Sequence, residues 1–110
     1  MLHTMENGVL SVTVRSLGAE LWDIHTLGKT SVSCLWDGKP EVWPRRAPVC
    51  FPWCGRVEEG WFQEEGVRYE AGPHGFIRDL EHTLAERGEH WLRFPLEWPG
   101  GSRRWPWAFT

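Results

Sequence analysis

The chemistry-bearing residues of this chain concentrate between Arg45 and Asp79, and most densely in the hexapeptide His74-Gly75-Phe76-Ile77-Arg78-Asp79. These six positions hold an imidazole, which exchanges a proton near neutral pH, a guanidinium with its planar fork of donors, and a carboxylate. Gly75 lets the backbone come close to a ligand. Arg56 follows Gly55 at the end of a proline-rich passage, so two guanidiniums and one imidazole converge if the intervening segment folds back. Arg56, His74 and Arg78 are therefore the candidate binding residues, and they suit an oxygen-rich ligand bearing carboxylate, phosphate or vicinal hydroxyls. Spacing alone also allows a plainer arrangement, in which Arg78 pairs with Asp79 or Glu81 and His74 is a turn residue held by backbone bonds.

The elements that must position these groups read as strands and turns. Asn7-Gly8 between two β-prone runs is a strong hairpin signal and predicts strands near 2–6 and 9–15. After Leu17-Gly18, residues 19–25 alternate apolar and polar side chains as a half-buried strand does, with His25 in the solvated phase beside Asp23. A short strand is predicted over 31–36. Pro44, Pro48 and Pro52 then forbid a central strand over 43–52, because each lacks a ladder donor and restricts its predecessor. Residues 60–63 and 67–70 flank Glu64-Glu65-Gly66 as a second hairpin. Strands are predicted over 82–86 and 90–96, with strand preferred to helix around 79–86, and a last β-prone run covers 105–110, inside which the chain stops. This succession of strand and turn signals predicts an all-β protein, an antiparallel β-sandwich or barrel, with 1–110 forming a single domain.

Composition narrows the partners. A chain of 110 residues buries roughly 60 to 70% of its extended surface, enough for one modest core. The net charge is −3 and the 12 basic residues are scattered, which argues against nucleic acid as a partner. Neither a signal peptide nor an apolar membrane span is evident, so a cytoplasmic, membrane-independent protein is expected. Three cysteines, Cys34, Cys50 and Cys54, suggest reduced thiols buried among apolar side chains. Cys50 and Cys54 lack a second Cys/His pair at zinc spacing, so no metal is expected, and no cofactor is called for. Nine Trp residues suggest sheet faces covered by indoles, of which only one or two line a ligand site.

Four motifs in order carry a resemblance. Leu-Gly-Ala-Glu-Leu at 17–21, Leu-Trp-Asp-Gly at 35–38, Arg-Ala-Pro-Val-Cys-Phe-Pro-Trp-Cys-Gly-Arg at 46–56 and His-Gly-Phe-Ile-Arg-Asp at 74–79 resemble the N-terminal part of the aldose 1-epimerase (galactose mutarotase-like) family. The resemblance implies a partial supersandwich with a sugar cleft, and it implies that Arg56, His74 and Arg78 contact a sugar or its anionic substituent. In that family a carboxylate takes the proton of the C1 hydroxyl and a histidine, here His74, protonates the ring oxygen. The ring then opens, rotates about C1–C2 and closes as the other anomer. The family's second active-site histidine and its catalytic glutamate belong to a part that would follow Thr110. The chain thus reads as the first third of a mutarotase, and Asp79 and Glu64 do not match the base by position.

Three functions follow from this reading. The first is an N-terminal fragment of an aldose 1-epimerase acting on a hexose or hexose phosphate, with impaired catalysis. The second is a non-catalytic carbohydrate-binding module stacking sugars on Trp43, Trp53 or Trp61. The third is a structural β-domain that self-associates, since open sheet edges and uncovered Trp-rich faces favour a homo-oligomer.

Overall fold

In the computed structural model, which describes all residues from Met1 to Thr110, the first hairpin is set by Asn7. Its side-chain oxygen accepts hydrogen bonds from the amides of Val9 and Leu10 (3.0 and 2.8 Å), while Gly8 takes a φ of +82° that its missing Cβ makes inexpensive. Strand β1 (Leu2–Glu6) thereby pairs antiparallel with β2 (Leu10–Arg15). Gly18 and Ala19, both at positive φ, reverse the chain again. β3 (Glu20–Thr26) then lies on the other side of β2, with a bulge between Thr13 and Val14. The result is a three-stranded antiparallel sheet in the order β1-β2-β3.

The second hairpin joins β4 (Trp61–Glu64) to β5 (Val67–Glu70). Both of its central residues, Glu65 and Gly66, have positive φ (47° and 77°), the handedness that matches strand twist in a two-residue loop. A third, minimal ribbon pairs β6 (Glu86–Arg87) with β7 (Leu92–Arg93). Arg87 and His90 reach the carbonyls of Thr4 and Glu6, so this ribbon covers part of the outer edge of β1.

Several predicted strands are shorter or absent. Over 31–36 there is only an isolated bridge between His25 and Ser33, with Val32 and Cys34 bonded to Thr26 and Ile24; beyond it Trp36 donates its indole N–H to the Trp43 carbonyl (2.8 Å). The strand predicted over 82–86 shrinks to Glu86–Arg87, because the His82 amide bonds Ser16 (3.0 Å) and ties this stretch to the first sheet. The strand over 90–96 shrinks to Leu92–Arg93. Over 80–85 neither strand nor α-helix forms, and one 3-10 turn covers Ile77–Asp79. In the last run, which contains Pro106, a single bridge joins Phe109 to Trp98.

The core is thin. Val14, Tyr69, Ala71, Phe76 and Ile77 are the buried apolar side chains, and the chain spreads over 60 × 34 × 18 Å with a radius of gyration of 16.9 Å. A compact domain of this length has about 13 Å. Aromatic packing supplies much of the cohesion, although Trp36, Trp43, Trp91 and Trp107 are exposed and no Trp is fully buried. Phe62 stacks on Tyr69 at 5.1 Å, Trp53 and Trp105 close on Phe62, and Phe76 meets Trp98 at 4.9 Å. Trp22 lies between the guanidiniums of Arg15 and Arg46 (4.0 and 4.2 Å), where delocalised cations gain from the ring face.

Candidate functional site

The sequence motifs separated by tens of residues are bonded to one another. Glu20, in the Gly-Ala-Glu-Leu stretch, is the most deeply buried side chain at 1% exposure. One carboxylate oxygen accepts the backbone amides of Arg46 and Ala47 (2.8 and 3.0 Å), and the other is paired with Arg15. A buried carboxylate needs such compensation, and here it fixes the start of the proline-rich passage. Gly18 donates its amide to the Leu80 carbonyl (2.7 Å), and a Cβ at Gly18 would lie 2.5 Å from the Arg78 carbonyl oxygen.

The proline-rich passage in turn grips the hexapeptide. The Phe51 carbonyl accepts both the Phe76 and Ile77 amides (2.9 and 3.3 Å). Gly75 presses so closely on this carbonyl that a Cβ would stand 1.9 Å from its oxygen. The close backbone approach that Gly75 permits is therefore made to Phe51 within the chain. Four residues on, Gly55 and His74 bond reciprocally: the His74 amide donates to the Gly55 carbonyl (2.7 Å), and the Gly55 amide donates to His74 Nδ1 (3.2 Å). An Nδ1 that accepts leaves the proton of the neutral ring on Nε2, so His74 presents an N–H donor on its far side.

The three expected site residues are placed as follows. His74 is half-buried at φ +67°, and its bonds to Gly55 bring it beside the residue that precedes Arg56. Arg56 itself is exposed, and the arginine ion pairs are those of Arg15, Arg45, Arg68, Arg78 and Arg93. Arg78 bonds the Pro73 carbonyl (3.0 Å), and its Nε, buried without a hydrogen-bond partner, lies 3.9 Å from the Asp79 carboxylate, the side chain being only 17% exposed. Asp79 makes its shorter ion pair with Arg45, at 2.7 Å.

Arg78 lines an open cavity of about 590 Å³ together with Trp53, Phe76, Asp79 and the arginines at 68, 103 and 104. His74 and Arg56 do not line it, although Pro73 and Gly75 on either side of His74 do. Trp53, held by its indole bond to the Gly72 carbonyl (2.7 Å), is the one indole on its wall. The cysteines depart from expectation: Cys34 and Cys54 are exposed and Cys50 is half-buried, because the proline-fixed segment follows the surface. No three His, Cys, Asp or Glu side chains cluster as metal ligands do.

The aldose 1-epimerase family model matches residues 1–110. The chain belongs to the aldose 1-epimerase family. The LacX proteins of Lactococcus lactis subsp. lactis, chromosomal and plasmid, are each 32% identical over 102 residues, spanning 88% of this chain and 33% of the relative. A galactose mutarotase related enzyme from Lactobacillus acidophilus superimposes with a TM-score of 0.84 at 30% identity, over 88% of this chain and 32% of that one. A galactose mutarotase-like protein from Lactobacillus casei gives 0.81 at 23% identity, over 89% and 33%. The chain thus spans about a third of the length of these relatives. Its strands, all antiparallel, occur in the arrangement of galactose mutarotase-like structures.

Within this aldose 1-epimerase family chain, Glu20 and the pair Arg103-Arg104 were not singled out from the sequence. Glu20 lay inside a recognised motif, yet nothing in a linear reading shows a surface-type residue becoming the most buried one. Arg103-Arg104 sat in a glycine-rich loop, where adjacent basic residues are ordinarily solvated. No helix is long and apolar enough to cross a membrane.

Proposed function

We propose that these 110 residues supply the N-terminal part of a sugar site for interconverting the α and β anomers of a hexose or hexose phosphate, in a cytoplasmic setting. The observation that carries this reading is the reciprocal bonding of Gly55 and His74, which holds the imidazole against the residue preceding Arg56, while its chain neighbours Pro73 and Gly75 line the cavity of Arg78. In this reading Nε2 of His74 serves the ring oxygen as the ring opens. Arg56 and Arg78 hold the hydroxyl or anionic oxygens of the sugar, and Trp53 offers an apolar face. The domain is incomplete as a catalyst, since no Glu among these residues matches the family's base. A positioned general base is worth about 10² to 10⁴ in rate, or about 3 to 5 kcal/mol of barrier.

The expected result is sugar binding with little or no acceleration of mutarotation by the 110-residue chain. Polarimetry on freshly dissolved α-glucose and α-galactose, with NMR exchange for the 6-phosphates, measures this directly. Robust acceleration that disappears in His74→Ala would contradict the assignment of an incomplete site and point to a base elsewhere, including one given by a second copy through the self-association expected of a thin-cored sheet.

A further inference from the structure

The cavity at Arg78 is positively charged in a chain whose net charge is −3. Its wall carries the guanidiniums of Arg68, Arg78, Arg103 and Arg104, against two carboxylates, Glu70 and Asp79. Both carboxylates are already engaged: Glu70 with Arg68 at 3.1 Å, and Asp79 with Arg45 and Arg78 at 2.7 and 3.9 Å. Arg103 and Arg104 have no ion-pair partner, and the buried Nε of Arg78 makes no hydrogen bond, its Asp79 contact being at 3.9 Å. The loop that brings the arginine pair is fixed. Ser102 Oγ accepts the amides of Arg104 and Trp105 (3.2 Å each), Gly101 donates to the Pro106 carbonyl (2.8 Å), and the Arg104 guanidinium lies 4.8 Å over the ring of Phe76. The last loop is thereby docked on the hexapeptide that holds His74. The unpaired forks of Arg103 and Arg104, beside those of Arg68 and Arg78, give the cavity more guanidinium than carboxylate, an arrangement that recognises a phosphate dianion.

We propose that Arg103 and Arg104, with Arg68 and Arg78, form an anion subsite that takes the phosphate group of a phosphorylated hexose. This rests on the sugar-site reading above and adds a preference to it: the phosphorylated sugar is bound in favour of the neutral one. Excess guanidinium charge also draws anions into the cavity, an attraction that salt weakens.

Binding of glucose, glucose 6-phosphate and inorganic phosphate, followed by NMR titration at low and high NaCl, tests it. The phosphate ester is expected to bind about 10-fold or more tightly than glucose, with the advantage shrinking as salt rises. R103Q/R104Q, which keeps a polar side chain and removes the charge, is expected to reduce that ratio to about 2-fold or less, while R103K/R104K retains much of it. Equal affinity for glucose and its 6-phosphate overturns the subsite and leaves the sugar site standing. So does an undiminished ratio in a folded R103Q/R104Q, or complete loss of the ratio in a folded R103K/R104K. Saturable, salt-sensitive binding of inorganic phosphate with no binding of either sugar supports the anion subsite and overturns the sugar reading, and silence toward all three ligands overturns both.

Discussion

Gly75→Ala is expected to be among the most damaging single changes in this protein, and its cost follows from the docking of the hexapeptide on Phe51. The residue has a φ of +72°, and an added Cβ would lie 1.9 Å from the Phe51 carbonyl oxygen, whereas ordinary contact begins near 3.4 Å. The left-handed conformation alone costs a non-glycine residue about 1 to 2 kcal/mol. Withdrawal of the carbonyl then breaks its bonds to the Phe76 and Ile77 amides (2.9 and 3.3 Å), each worth about 1 kcal/mol and more when the donor is stranded in a buried place. The sum is about 3 to 4 kcal/mol, rising to about 6 if a donor is stranded, which approaches the whole stability of a small domain. Gly66→Ala is the internal control: its φ is +77° but nothing lies within 4 Å of the added Cβ, so the conformational cost of about 1 to 2 kcal/mol stands alone. Urea unfolding followed by tryptophan fluorescence gives both values. Equal destabilisation of the two variants, within the error of linear extrapolation, would refute the claim that Gly75 serves contact between the two loops.

Other substitutions separate the remaining ties. Glu20→Ala removes the partner of Arg15 and of two backbone amides, and is expected to destabilise by about 3 to 5 kcal/mol in the same urea assay, with Glu20→Gln costing less because an acceptor oxygen remains. Arg46→Lys keeps the charge but loses the planar stack on Trp22 (4.2 Å) and weakens the bond to its carbonyl; a loss of about 1 to 2 kcal/mol is expected, with a change in Trp22 emission. Trp53→Phe removes the indole donor to Gly72 (2.7 Å), which is expected to cost about 1 kcal/mol and to weaken sugar binding at the cavity, read by NMR titration.

The local turn chemistry of the chain was legible from its sequence. Asn7-Gly8 and Glu65-Gly66 specify two hairpins through backbone preferences that act within a few residues, and both form with boundaries close to those expected. The prolines at 44, 48 and 52 likewise keep their segment out of the named strands. The segments that failed, 31–36, 82–86 and 90–96, have β-prone composition but spend their hydrogen bonds on distant partners such as Trp43 and Ser16, which no local pattern reveals. The motif order conveyed the family, but not the manner in which the motifs bond to one another. Gly75 could be read as permissive for close approach, while the object approached, the Phe51 carbonyl, depends on a residue 24 positions earlier. Arg103 and Arg104 escaped notice for the same reason, since the loop that docks them on Phe76 is defined by tertiary contact.

The central claim is that the Gly55–His74 clasp and the Arg78 cavity together form a sugar site. It is tested most directly by amide NMR titration of the 110-residue chain with glucose 6-phosphate and glucose, comparing wild type with His74→Ala. The account predicts that the Gly55 and Gly75 amides and the Arg78 Nε–H shift most and saturate together, at the millimolar concentrations typical of weak ligands or below (about −4 kcal/mol or stronger), and that His74→Ala abolishes the Gly55 response. Saturable shifts confined to residues outside this region, or none at all from a folded chain, would contradict it.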